Sequence, residues 1–332
     1  MENKNIAVIG GGSWATAIVK ILTESLPQVH WYMRSKEAIE HIKKDHHNLH
    51  YLSSVKFDPK QLILTDNINT AVEQADYLIF VIPSAFLYSE LEKLKRPLKD
   101  KVIYSAIKGI VPETGLLVGE HFHHEYEVPY ENIGVISGPC HAEEVALGRL
   151  SYLTIACPDE KKAQFLADIF DNDYIRCIVS KDVIGTEYAA MLKNIYAIAA
   201  GMYHALGYGD NFQSVLMSNA IRETERFIKN IDKTDRDIND SAYLGDLLVT
   251  GYSSFSRNRM FGTMIGKGYT VKNAKLEMSM VAEGYYAAKC AYVLNSKLSK
   301  PADIPIIEAV YKILYENKNP SKIMFDLTRK LY

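Results

Sequence analysis

The chain has 332 residues, 48% of them hydrophobic and 23% charged, with a formal net charge of −2. That length suits two domains, the composition is that of an ordinary globular protein, and the charge leaves no footprint for nucleic acid or an anionic membrane surface. No run is apolar enough to span a bilayer, the first five residues lack signal-peptide character, and Cys140, Cys157, Cys177 and Cys290 lack C-x-x-C spacing; free thiols, no metal and a cytoplasmic location are expected.

The apolar run 6–9 leads into Gly10-Gly11-Gly12-Ser13-Trp14-Ala15, and helix-like residues follow over 17–22. Strand, glycine turn and helix in this order, with Gly10, Gly12 and Ala15 in G-x-G-x-x-G/A register, predict a dinucleotide-binding turn. Gly10 makes the bend and Gly12 leaves room for a pyrophosphate beside the backbone. Ala15 is small enough for helix and strand to pack, and the helix start at Ser13 and Trp14 offers N–H groups to the anion.

A second strand is predicted over 28–33. NAD-specific domains carry an acidic residue near this point, whereas here Arg34 follows; its charge suits a 2′-phosphate and favours NADP over NAD, with a solvated arginine as the other reading. Residues 35–50 read as a polar helix ending in a solvated loop around His46, His47 and His50, without the cysteine or carboxylate cluster of a metal site. Strands follow over 61–65, 75–84 and 101–106, and the middle one is apolar enough to be covered on both faces. Lys108 comes just after the last of these, at the strand end where open α/β sheets bind ligands.

A sixth strand over 132–136 runs into Ser137-Gly138-Pro139-Cys140-His141-Ala142. This reads as a helix start with Ser137 as cap and Pro139 in the first turn, a second corner suited to an anion. Strands over 153–157 and 174–178, with a helix over 159–170 between them, extend the sheet. The predicted fold is α/β: a Rossmann-type, mostly parallel sheet over 1–180, followed by an all-α domain over 181–332.

The helical half holds the candidate chemistry. Residues 188–202 read as a helix apolar almost all round, hence buried, with Lys193 as its one fixed charge. Burial lowers an ammonium pKa, which is how a lysine becomes an acid/base catalyst near neutral pH. Asp246, inside the apolar segment 244–250, is its expected partner, with helix capping as the competing role. In Ser256-Arg257-Asn258-Arg259, Arg257 and Asn258 suit a substrate phosphate, because the guanidinium fork matches phosphate oxygens. Val281-Ala282-Glu283-Gly284 opens a further helix, and an amphipathic helical tail over 303–330 completes the core.

Taken in order, residues 10–17, Lys108-Gly109, Ser137-Gly138-Pro139, Leu192-Lys193-Asn194, Gly245-Asp246-Leu247, residues 256–262 and Glu283-Gly284 resemble the motifs of bacterial NAD(P)-dependent glycerol-3-phosphate dehydrogenases. The resemblance covers nearly the whole chain. It implies a Rossmann domain joined to a helical one, and reversible reduction of dihydroxyacetone phosphate to sn-glycerol 3-phosphate, a phospholipid precursor. It also implies that Ser13 and Trp14 touch the dinucleotide, with Arg34 and Tyr51 near its adenosine end. Lys108 and Arg257 would meet cofactor and substrate; Ala142, Val281 and Glu283 the cofactor; Gly138, Asp246, Ser256 and Asn258 the substrate. Lys193 would donate and accept the proton.

Three departures stand out. Ala15 replaces a glycine, Cys140-His141 stand where the family has Ser or Thr followed by Phe, and Ser218-Asn219-Ala220 replace a Thr-Arg-Gly run. Two other functions share the pattern: a related two-domain dehydrogenase of another small hydroxy acid, of the 3-hydroxyisobutyrate type, and a non-catalytic Rossmann cofactor sensor. The expected partner is a small phosphorylated substrate, and a homodimer is an open assembly state.

Overall fold

Short apolar runs separated by helices build the first part of the chain. The computed structural model describes residues 4–278 and 282–332. It divides into two units, Met1–Ile107 with Leu116–Val183, and Lys108–Gly115 with Ile184–Tyr332. The grouping of the short segment 108–115 with the second unit has no signal in the residue pattern.

In the first unit, β1 (Ile6–Ile9), β2 (Val29–Tyr32), β3 (Leu62–Thr65), β4 (Tyr77–Phe80), β5 (Val102–Ser105), β6 (Ile133–Ser137), β7 (Ser151–Ala156) and β8 (Ile175–Ser180) form one sheet in the order β3-β2-β1-β4-β5-β6-β7-β8. The first six are mutually parallel; β7 runs antiparallel to β6 and β8 parallel to β7. Strands β1, β2, β4, β5 and β6 are buried at every position, as expected of strands covered on both faces. The strand order reverses between β1 and β4, and in such sheets ligands bind at the carboxyl ends beside that reversal. The unit's helices are α1 (Ser13–Ser25), α2 (Lys36–Asp45), α3 (Ile68–Gln74), α4 (Ser84–Leu91), α5 (Val118–Tyr126), α6 (Ala142–Ala146) and α7 (Glu160–Phe170).

One local expectation is corrected. Ser137 caps no helix; it is the last residue of β6, held in the ladder opposite Thr154. The chain then passes through Gly138 at φ +124°, and α6 starts only at Ala142, with His141 at its N-cap and no side-chain cap. Pro139 therefore lies outside the helix. The antiparallel pairing with β7 claims the backbone that a helix start would have used.

The second unit holds α8 (Val183–Ala205), α9 (Asp210–Ile231), α10 (Asp246–Tyr252), α11 (Arg257–Gly266), α12 (Val271–Glu277), α13 (Glu283–Lys297), α14 (Pro305–Tyr315) and α15 (Pro320–Thr328). Helix α8 is its core, buried at every residue over 185–203. Helix α11 crosses it backbone to backbone. An added Cβ on Gly201 would lie 2.0 Å from the Arg259 carbonyl oxygen, and one on Gly262 would lie 2.0 Å from that of Ile198, so only glycine permits this approach.

Buried Glu223 on α9 secures the start of α14. Its two carboxylate oxygens accept the backbone N–H groups of Ile306 and Ile307, each at 2.9 Å. Burial pushes its pKa up, to about 8, against the pull of those two donors. Replacing it with leucine would orphan both amides, at a cost of about 2–5 kcal/mol, read as a lower urea midpoint. Because the folded state holds the proton more tightly, the contribution of Glu223 falls as pH rises from 4.5 to about 8. A Glu223→Gln variant should therefore show a flatter stability profile than the parent across that window.

Candidate functional site

The glycine turn is built from several directions in the first unit. Gly10 sits at φ +142°, and a Cβ there would lie 2.3 Å from the Val81 carbonyl oxygen, so a side chain is excluded by both conformation and space. Its N–H donates to the Tyr32 carbonyl at 3.0 Å, and its own carbonyl accepts the Trp31 indole N–H at 2.7 Å. The Asn48 amide donates to the Gly11 carbonyl at 3.2 Å and to the Thr16 hydroxyl at 2.9 Å.

Asn48 is buried, which corrects the reading of its segment as a wholly solvated loop: its amide is what holds the turn. Neither Trp31 nor Asn48 stands out in the sequence. The first looks like any strand core residue, and the second like any loop polar residue.

The structure around the turn fits a dinucleotide. Gly12 is the N-cap of α1 and caps with no side chain. A Cβ built on Gly12 would meet nothing within 4 Å. The Trp14 indole nitrogen is buried without a hydrogen-bond partner among the described residues. Open space, uncapped helix N–H groups and an orphaned donor suit an anionic group with further acceptors. Elsewhere in this unit, Arg34 is exposed just beyond β2, Tyr51 is half-buried edge-on to His50, Gly138 follows β6, and Ala142 opens α6.

In the second unit, Lys108, Lys193 and Asp246 come together. Lys193 is 4% exposed and Asp246 1%. The Lys193 ammonium donates to Asp246 Oδ1, and Lys108 Nζ lies 3.9 Å from Asp246 Oδ2. Asp246 follows a π-helical turn, Ser241–Gly245, and begins α10. Its carboxylate therefore serves the lysines, and the Thr250 hydroxyl donates to its backbone carbonyl at 2.7 Å. Burial pulls the Lys193 pKa down; Asp246 opposes this and Lys108 reinforces it.

An amide relay braces the cluster. The Asn194 side chain donates to the Lys108 carbonyl at 3.2 Å, Asn258 donates to Asn194 Oδ1 at 2.8 Å, and the Gly284 N–H donates to Asn258 Oδ1 at 2.9 Å. Asn258 thus has much of its amide engaged within the protein. Ser256 is the N-cap of α11, its hydroxyl accepting the Arg259 N–H at 3.3 Å. Arg257 begins α11 and Glu283 begins α13, while Val281 lies outside the described residues.

A doubly wound dinucleotide-type unit, followed by a helical unit with a buried lysine–aspartate pair, defines a two-domain NAD(P)-dependent dehydrogenase. Family models described as the N-terminus and C-terminus of NAD-dependent glycerol-3-phosphate dehydrogenase match residues 5–163 and 182–325. The chain belongs to that family.

Relatives named glycerol-3-phosphate dehydrogenase [NAD(P)+] include one from Exiguobacterium, 36% identical over 98% of this chain and 95% of the relative. Another, from Latilactobacillus sakei, is 36% identical over 94% of this chain and 92% of the relative. Glycerol-3-phosphate dehydrogenase from Coxiella burnetii superposes with a TM-score of 0.89 at 26% identity over 98% of each chain. No described helix is long and apolar enough to cross a membrane.

Removing the shared carboxylate tests how far the cluster depends on it. Asp246→Ala would leave buried Lys193 without a counter-charge and cost about 3–5 kcal/mol of stability, measured by chemical denaturation. The double replacement Lys193→Met with Asp246→Leu should recover most of that loss.

Proposed function

We propose that the chain catalyses reversible NAD(P)H-dependent reduction of dihydroxyacetone phosphate to sn-glycerol 3-phosphate, a precursor for phospholipid synthesis. The observation that carries this reading is the buried Lys193–Asp246 pair with Lys108 beside it. Two ammonium groups sharing one carboxylate leave a local excess of positive charge, which is suited to an oxygen that becomes negative during reaction. A cofactor sensor has little use for so costly an arrangement.

Gly10, Gly12, Ser13 and Trp14 hold the dinucleotide pyrophosphate in this reading, with Arg34 and Tyr51 toward its adenosine end and Ala142, Arg257 and Glu283 as further contacts. When bound, the nicotinamide supplies the hydride to the ketone carbon and takes it back in the reverse direction. Lys193 donates a proton to the oxygen as it becomes a hydroxyl; in the reverse direction its neutral amine accepts that proton. Asp246 keeps the ammonium oriented, and Lys108 adds a second positive charge near the oxygen. Arg257, with Ser256 and Asn258 at the start of α11, fixes the phosphate and hence the ketone, while Gly138 offers backbone to the substrate.

Lys193→Ala should bind NADPH as the parent does, by fluorescence titration, yet lose about 10²–10⁴-fold in reduction rate. Near-parental turnover would refute the assignment. Reduction needs the ammonium, so its rate should fall as pH rises through about 7, the value to which burial brings Lys193; oxidation, which needs the amine, should rise through the same range. We propose NADPH as the preferred cofactor because Arg34 offers a cation for the 2′-phosphate. Arg34→Asp should raise KM for NADPH by about tenfold or more, the loss of one charge-assisted contact, and leave KM for NADH within twofold. Equal effects on both cofactors would remove Arg34 from that role.

A further inference from the structure

A cavity of about 220 Å³ lies beside the crossing of α8 and α11. It is lined by His204 of α8, Ser253, Ser254 and Ser256 of the preceding loop, and Arg259 and Thr263 of α11, with Met260 at one wall. That space is ample for a small polyatomic ion.

The Arg259 Nε is buried and has no hydrogen-bond partner among the described residues. No carboxylate lines the cavity, so the guanidinium charge is not balanced there. A buried, unmatched donor of this kind calls for a ligand or ion. Ser253 and Ser256 use their hydroxyl oxygens to accept the N–H groups of Phe255 and Arg259, which leaves each hydroxyl proton for another acceptor. The Thr263 hydroxyl is already spent on the Gly201 and Arg259 carbonyls.

The His204 end of this cavity is not the place of the substrate phosphate, which in the proposed reaction lies toward Ser256. On α8, His204 lies eleven residues beyond Lys193, about 16 Å along the axis at 1.5 Å per residue. In dihydroxyacetone phosphate the phosphorus is three bonds from the ketone carbon, about 4 Å away. A ketone served by Lys193 therefore places its phosphate nearer to the first turn of α11 than to His204.

We propose that Arg259, His204 and Ser253 form a second oxyanion site, for inorganic phosphate or a small phosphate monoester, at the end of the pocket away from Ser256 and the substrate phosphate. An oxyanion there would brace the loop that leads directly into Arg257. The Arg259 guanidinium is the principal ligand, its fork matched to phosphate oxygens.

Calorimetric titration of the full chain with inorganic phosphate, in saturating dihydroxyacetone phosphate and without cofactor, tests this. Phosphate should still bind the parent, Arg259→Gln should weaken that binding at least tenfold, and Arg257→Gln should leave it within twofold. A parallel titration with glycerol 2-phosphate separates the two sources: tighter binding assigns the site to monoesters, weaker binding to the free ion. Loss of phosphate binding once dihydroxyacetone phosphate is present, or unchanged binding by Arg259→Gln, would overturn the proposal. Should Arg259→Gln fail to fold, Arg259→Lys and His204→Gln are read by the same criteria. No turnover is measured, so the result is independent of whether the proposed reaction occurs.

Discussion

A lysine withdrawn from water must find a counter-charge or surrender its proton, and much of the second unit is arranged around that constraint at Lys193. Helix α8 is buried along nearly its whole length, so any charged residue on it is desolvated. Asp246 answers from a position 53 residues further on, delivered by the π-helical turn that precedes α10. Lys108 arrives from a short segment inserted between strands of the other unit. Two cations on one carboxylate are costly to assemble in a protein interior; the same cost leaves the cluster ready for a negative oxygen and brings the lysine toward neutral titration.

The polar groups around this cluster are tied down in turn. Asn194, Asn258 and the Gly284 N–H form a chain of amide hydrogen bonds from the Lys108 carbonyl to the start of α13. Each link is worth only about 1 kcal/mol net, but a buried amide left unmatched costs more than the bond yields. The chain therefore restricts where the Lys108 backbone can sit. The close crossing of α8 and α11 through Gly201 and Gly262 has a related effect, because it sets the height on α8 at which Ser256, Arg257 and Asn258 begin their helix.

In the first unit the constraint is conformational. Gly10 lies where no side chain fits, and the turn it makes is secured by the Trp31 indole and the Asn48 amide. The glycines are legible in the sequence because the requirement is local: one residue must take a φ that others avoid. Trp31 and Asn48 are not legible, because their role depends on β2 and the loop after α2 lying against the turn. Ser137 misled for the opposite reason. Its local context is that of a helix cap, yet a strand fourteen or more residues later pairs with it and claims its backbone.

By itself, the sequence determined the eight-strand alternation with helices, the glycine turn, the all-helical second half, and the presence of a buried lysine with a matching aspartate. Each of these follows from periodicity, from glycine and proline chemistry, or from the cost of placing a charge in an apolar run, all of which act over a few residues. Tertiary structure decided the antiparallel pairing of β6 with β7, the transfer of residues 108–115 to the helical unit, the commitment of Asn258 and Ser256 to internal hydrogen bonds, and the unmatched Nε of Arg259. These depend on which surfaces meet across long stretches of chain, and a desolvated donor is recognised only when its surroundings in space are known.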